Sequence, residues 1–253
     1  MKKTTLAGAL AASALLMSTG ASAAVISLTN SGFETGDLSG WTTLGTVVAT
    51  PSTSVTTYDS TVWTIGAAGT TMAQLNPSID VGSIETALGL AAGSLNALNT
   101  NPSDGSLTDG AAIWQSFSGN AGDSISVAWD YVATDYIPFN DPAFAIIINP
   151  DSSASITVLA SIHGLGIPVG TSGHSGWQTF STSLTQTGSH TIAFVTTNDK
   201  DTILDSVLFL DNAAGTCDPT CPPPVNGVPE PDSLALLGLG LFGLGALRRR
   251  KTA

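Results

Sequence analysis

The chain has 253 residues, nineteen acids against seven Lys and Arg, a formal net charge of −12, and two cysteines. Lys2, Lys3, Arg248, Arg249, Arg250 and Lys251 lie at the two ends, which leaves Lys200 as the one basic residue between them, and every acid falls between Glu34 and Asp232. A body of this charge excludes nucleic acid and anionic lipid as its partners and admits divalent cations and neutral polymers.

The N-terminus has the layout of a secretory signal peptide over residues 1–23. Lys2-Lys3 is a basic start, Leu6 to Met17 an apolar run, and Ala21-Ser22-Ala23 a small-residue cleavage box. Cleavage after Ala23 leaves a mature chain that begins at Ala24. The body, residues 24–214, has the size of one domain with its own core. It is rich in Thr, Ser, Gly, Asn and Asp and poor in Lys and Glu, which predicts an all-β fold with many turns.

Strands are predicted at Val25–Leu28 and Thr43–Ala49. A short helix follows over Ser83–Leu98, with Ser83 as N-cap, Glu85 in its first turn, and Ile84, Ala87, Leu88 and Ala91 at helical spacing. Ile113–Phe117 is the next strand. Ile125, Val127, Trp129 and Tyr131 alternate with smaller or polar residues, the pattern of a strand with one buried face. Ala143–Asn149 is almost continuously apolar, as a central strand would be. Further strands are read at Ile156 to Ile162, Trp177–Phe180, His190 to Phe194, and Val207 to Phe209. Turn clusters such as Gly119–Asp123 and Asn149-Pro150-Asp151 separate them. No repeat of solenoid or propeller period is present. The predicted architecture is an antiparallel β-sandwich of jelly-roll type with one inserted helix.

Several side-chain groups carry possible chemistry. Asp135-Tyr136-Ile137-Pro138-Phe139-Asn140-Asp141 places aromatics beside carboxylates and amides, which suits stacking on a sugar ring and bonding its hydroxyls; the same residues also suit pinning a long loop. Of the tryptophans, Trp41, Trp129 and Trp177 read as core. Trp114 is less determined, and Trp63 is the better platform candidate. Asn198-Asp199-Lys200-Asp201 with Asp205 lacks the turn Gly and terminal Glu of an EF-hand and reads as a solvated acidic turn. Gly173-His174-Ser175-Gly176 misses the last Gly of a nucleophile elbow, since Trp177 stands there. His163, His174 and His190 share no metal-ligand spacing, and the expectation is no enzyme activity. Cys217 and Cys221, in a Pro-rich linker over 215–227, are expected to form a local disulfide in an oxidising compartment.

Two resemblances add to this reading. Asn30-Ser31-Gly32-Phe33-Glu34-Thr35-Gly36-Asp37-Leu38-Ser39-Gly40-Trp41 resembles the opening of galactose-binding-like jelly rolls, which include many carbohydrate-binding modules. Asp205 to Asn212 is similar to their final strand. The resemblance implies a structural Ca²⁺ held by Glu34 and Asp211, with backbone carbonyls completing an oxygen shell.

Val228-Pro229-Glu230-Pro231, the apolar run 233–247 and Arg248-Arg249-Arg250-Lys251 closely resemble the PEP-CTERM sorting signal, here residues 228–253. That implies an exosortase-type processing enzyme as partner, in a Gram-negative bacterium. It also implies transient membrane tethering, then delivery to the cell surface or extracellular matrix. The apolar run spans about 22 Å as a helix, short of the roughly 30 Å hydrocarbon core. The basic cluster remains cytoplasmic; an ordinary C-terminal anchor would also put the body outside. The expected function is a non-catalytic surface or matrix protein associated with biofilm exopolysaccharide. The alternatives are a ligand-free structural surface protein and a secreted glycan hydrolase.

Overall fold

The computed structural model describes residues 23–99 and 104–211, and two sheets face each other across its centre. The first runs in the order β1 (Thr42–Leu44), β7 (Leu107–Gly119), β13 (Gly188–Asp199), β9 (Ala143–Ile148), β10 (Ala154–Ser161) and β11 (Ile167–Pro168). A short β6 (Ile79–Asp80) also pairs with β7. The second runs β12 (Gln178–Ser183), β8 (Ser124–Val132), β14 (Val207–Asp211), β5 (Met72–Asn76) and β2 (Thr46–Thr50). A separate hairpin pairs β3 (Thr53–Thr56) with β4 (Val62–Ile65). Among the described residues the ladders are antiparallel except β10–β11. The all-β sandwich expected from composition and alternation is what forms.

Side-chain alternation distributes three apolar layers. Ile125, Val127, Trp129 and Tyr131 of β8 meet Ile113, Ile192, Phe194, Ala145 and Ile147 of the facing sheet in the central core. Ala112, Ala193, Val195, Phe144 and Ile146 point the other way, where Val81, Ile84, Leu88 and Leu95 cover them. This explains the unbroken apolar run of β9: both of its faces are buried. In the second sheet Leu208 and Leu210 face the centre, while Val207 and Phe209 face outward under Val55, Ile65 and Trp177. Each fully buried large side chain contributes roughly 1.5–3 kcal/mol of apolar transfer, so the two outer layers are substantial parts of the fold.

Three predicted elements differ from what forms. The strand at Val25–Leu28 reduces to one bridge, Val25 with Ser124. The strand at Thr43–Ala49 is two strands in two different sheets, β1 and β2, divided at Gly45. Gly45 has φ +81°, and a Cβ there would stand 2.9 Å from the Gly110 carbonyl oxygen, so only glycine lets the chain change sheets at this place. The helix predicted over Ser83–Leu98 is α1 (Val81–Ala87), entered from Asp80, followed by a 3₁₀ turn at Asn96–Leu98. Gly89 and Gly93, both at positive φ, break the helical path. Glu85 is buried and accepts bonds from the Gly93 and Leu95 N–H groups at 2.7 and 2.9 Å, so it ties down the turn that replaces the second half of the helix.

Candidate functional site

The opening motif folds into a closed turn. Asn30, at φ +48°, donates through Nδ2 to the carbonyls of Asp37 and Ser39 at 3.0 and 3.2 Å. Its own carbonyl accepts from the Trp41 indole at 3.1 Å. Phe33 is fully buried, its ring centroid 5.6 Å from that of Trp41. With Phe33 inward, Glu34 is exposed on the other side. Its carboxylate accepts from Thr70 N–H at 2.9 Å, Thr70 Oγ1 at 2.7 Å and Thr71 N–H at 3.4 Å. The Thr70 N–H, foremost among these, holds the Glu34 pKa below its usual value.

Asp211, at the end of β14, accepts from Ala68 N–H at 2.6 Å. The two carboxylates expected to hold Ca²⁺ therefore meet the same loop, residues 66–71, as acceptors of its N–H groups. Among the described residues no group of three His, Cys, Asp or Glu side chains gathers for a metal. An ion here would need to take its other oxygens from the main chain.

The loop between β8 and β9, residues 133–142, divides its side chains between inside and outside. Asp135 is buried and accepts from the Tyr136 N–H at 2.7 Å; burial pushes its pKa up to about 6. Asn140 donates to Asn99 Oδ1 and Asp104 Oδ2 at 3.0 and 3.1 Å, and accepts from His163 N–H at 2.9 Å. Asp141 accepts from Asp199 N–H at 2.9 Å and Ser206 Oγ at 2.8 Å, while its carbonyl accepts from the Tyr131 hydroxyl. Burial also holds the Asp141 pKa well above the usual range. Of the five loop residues proposed for sugar, these three have their side chains turned inward, where they secure the loop. Hydrogen-bonding groups that are buried must find partners; that of Asp135 is the next residue, while those of Asn140 and Asp141 lie far away in sequence.

Tyr136 and Phe139 remain half-buried at the surface. Their rings meet edge to face at 5.2 Å, and the Tyr136 ring lies 4.3 Å from that of Tyr58, which is 54% exposed. Tyr58 comes from the turn of the β3–β4 hairpin, tied down by a 2.7 Å bond from its N–H to the Thr134 carbonyl. Lys200 donates to the Pro138 carbonyl at 2.7 Å and sits 5.8 Å from the Phe139 centroid. The sequence reading did not include Tyr58. Its signal was the Tyr58-Asp59-Ser60 turn between two Thr- and Val-containing runs, a hairpin pattern with an aromatic at its tip.

Trp63 is half-buried; its indole donates to the Ser172 carbonyl at 2.9 Å and its ring lies 4.8 Å from the His174 ring. His174 Nε2 is 2.8 Å from Asp130 Oδ2, and Ser175 Oγ donates to Asp130 Oδ1 at 3.1 Å. Histidine and serine thus both bond one aspartate, an arrangement that orients them and does not aim the serine at the imidazole. Trp41, Trp129 and Trp177 are buried, as expected, although Trp177 belongs to the layer under the hairpin. Asn198 and Asp199, read as part of a solvated turn, are fully buried, because β13 runs on to Asp199 and the loop 133–142 closes over its end.

Residues 227–251 match the PEP-CTERM protein-sorting motif, so the chain carries the signal for exosortase-sorted export. No curated protein matches the chain. Among solved structures the body is similar to TmCBM61 in complex with β-1,4-galactotriose, at 13% identity over 73% of this chain and 93% of that one, with a TM-score of 0.37. It is also similar to one of the carbohydrate-binding modules from the β-sandwich superfamily, at 13% identity over 76% and 62%, TM-score 0.36. A third is the enzymatically active domain of bacteriophage CBA120 tailspike protein 4, at 13% identity over 72% and 20%, TM-score 0.35. Ala21, Cys217, Cys221, Val228–Pro231 and the apolar run 233–247 lie outside the described residues. Among the described residues no helix is long and apolar enough to cross a membrane.

Proposed function

We propose that the body is a non-catalytic glycan-associating domain, carried to the cell surface or matrix by its sorting signal and attached there to exopolysaccharide. The single observation that carries this reading is the Tyr58–Tyr136–Phe139 face. Three aromatic rings touch in sequence at 4.3 and 5.2 Å, and the buried polar residues of their own loop hold two of them in place. Rings fixed before binding lose little conformational entropy on it, and their faces suit the C–H surfaces of sugar rings. The acidic body keeps the protein off anionic surfaces and leaves neutral polymers as the compatible ones.

The test is retention of the full chain on the producer's own exopolysaccharide and on a glycan array. Tyr136→Ala weakens binding roughly tenfold, the loss of about 1–1.5 kcal/mol of aromatic contact, and Tyr58→Ala acts in the same direction. A wild-type protein that no neutral or acidic glycan retains would leave the ligand-free structural role as the better account.

The same proposal includes a structural Ca²⁺ at Glu34 and Asp211, with carbonyls of the loop 66–71 as its other ligands. Both carboxylates already converge on that loop. Ca²⁺ at a hundred times Kd stabilises a binding protein by about 2.7 kcal/mol. The rise in melting temperature on adding Ca²⁺ is therefore expected to be smaller in Glu34→Gln than in the wild type. An equal rise in both removes the ion from Glu34.

A further inference from the structure

Asn198 sits near the end of β13, fully buried, and its Oδ1 has no hydrogen-bond partner. Its Nδ2 donates to Asp109 Oδ1 at 3.2 Å and to Asp205 Oδ1 at 2.9 Å. The carboxamide therefore stands between two half-buried carboxylates, one on β7 and one just before β14. More oxygens crowd the same place. Thr108 Oγ1 has a single proton, yet it contacts Asp109 Oδ1 at 3.2 Å, the Asn198 carbonyl at 3.3 Å and the Asp201 carbonyl. Acceptors outnumber donors here, and interiors rarely leave a buried acceptor unserved.

We propose that Asp109, Asn198 and Asp205 form a site for a divalent cation of the Ca²⁺ class. The nitrogen and oxygen of a carboxamide are nearly the same size, so turning the Asn198 side chain over exchanges them. Turned over, Oδ1 faces the two carboxylate oxygens. That arrangement is repulsive without a cation and favourable around one. The Asp201 carbonyl and water are at hand for the remaining positions. All these ligands are hard oxygens in an irregular set, which Ca²⁺ tolerates and Mg²⁺, with its strict octahedron, does not.

Asp109 and Asn198 belong to the first sheet, and Asp205 leads into the second. An ion here would clip the two sheets together at the end where Asp199 and Ser206 hold the aromatic loop. It lies at the opposite end of β14 from Asp211, roughly 20 Å away along the strand, and does not depend on Glu34.

Calcium titration of the metal-free full chain by calorimetry, with the Asp109→Asn/Asp205→Asn double variant beside it, tests the site. The expected result is a loss of one bound ion, or at least about a tenfold loss of its affinity, in the double variant, and the same loss when the double variant is made on a Glu34→Gln background. Equal titrations of wild type and double variant overturn the proposal. Should the double variant fold poorly, the wild type decides alone. Substoichiometric Mn²⁺ is expected to broaden the Asn198 side-chain amide and the Asp109 and Asp205 backbone amide resonances before those of Thr70 and Thr71. Unbroadened Asn198, Asp109 and Asp205 signals defeat it.

Discussion

Phe194→Ala is expected to cost about 3–5 kcal/mol of stability. Phe194 is fully buried on β13, the strand that bonds to both β7 and β9, and its ring meets Phe180 of the opposite sheet edge to face at 6.1 Å. Truncation removes the apolar contact across the sandwich and leaves a void that paired strands on both sides prevent from closing. For a domain of this size the loss corresponds to a fall of about 6–20 °C in melting temperature. Denaturant titration reads the effect directly. A change under about 1 kcal/mol would mean that the two sheets do not share one core at this point.

Stability is expected to peak on the acid side of neutrality. Burial raises Asp135 to about 6 and Asp141 well above the usual carboxylate range, and the facing acids Asp201 and Asp199 add to the effect. The folded state therefore keeps protons that the unfolded chain, with carboxyl groups near 3.9, releases. The stability from this source is complete below about 3.9 and is lost as pH rises through about 6. Asp59 and Asp151 act in the opposite sense. Thr61 holds the first at about 2, and Ser153, with Gln186, holds the second there. Their contribution is present above about 3.9 and is lost as pH falls towards 2. The two sources coincide at about pH 4, and from there to about 6 the Asp135 contribution declines. Thermal melts from pH 3 to pH 8 in the presence of chelator measure this, and Asp135→Asn is expected to flatten the fall between about pH 4 and 6. A maximum above pH 7 would contradict the burial of these carboxylates as the governing effect.

Both results draw on the same division between what local pattern encodes and what assembly decides. The alternation of Ile125, Val127, Trp129 and Tyr131 identified a strand and its inward face, because a pleated strand puts every second residue on one side. The almost unbroken apolar run at Ala143–Asn149 identified a central strand, which forms over Ala143–Ile148. The C-terminal sorting signal was legible for a similar reason: its Pro-Glu-Pro box, apolar length and basic end are read by other machinery directly from the chain, and residues 227–251 match the sorting motif.

Other features had no local signal for what their side chains meet. The hairpin β3–β4 covers Val207 and Phe209 with Val55 and Ile65, Trp63 packing beside them, too few apolar residues to mark a buried face in a Thr- and Ser-rich stretch. Asp135, Asn140 and Asp141 look in sequence like groups free for a ligand. The partners of Asn140 and Asp141, among them Asn99, Asp104, Asp199 and Ser206, lie tens of residues away, and only folding brings them within bonding distance. Tyr58 reaches Tyr136 in the same way, across a hairpin and a strand end. Sequence alone determined strands such as β8 and β9, the inward face of β8 and the C-terminal sorting motif, since each depends on neighbouring residues. Only the tertiary structure decided which polar groups point inward and which aromatic rings share a surface, since both depend on partners that folding brings together.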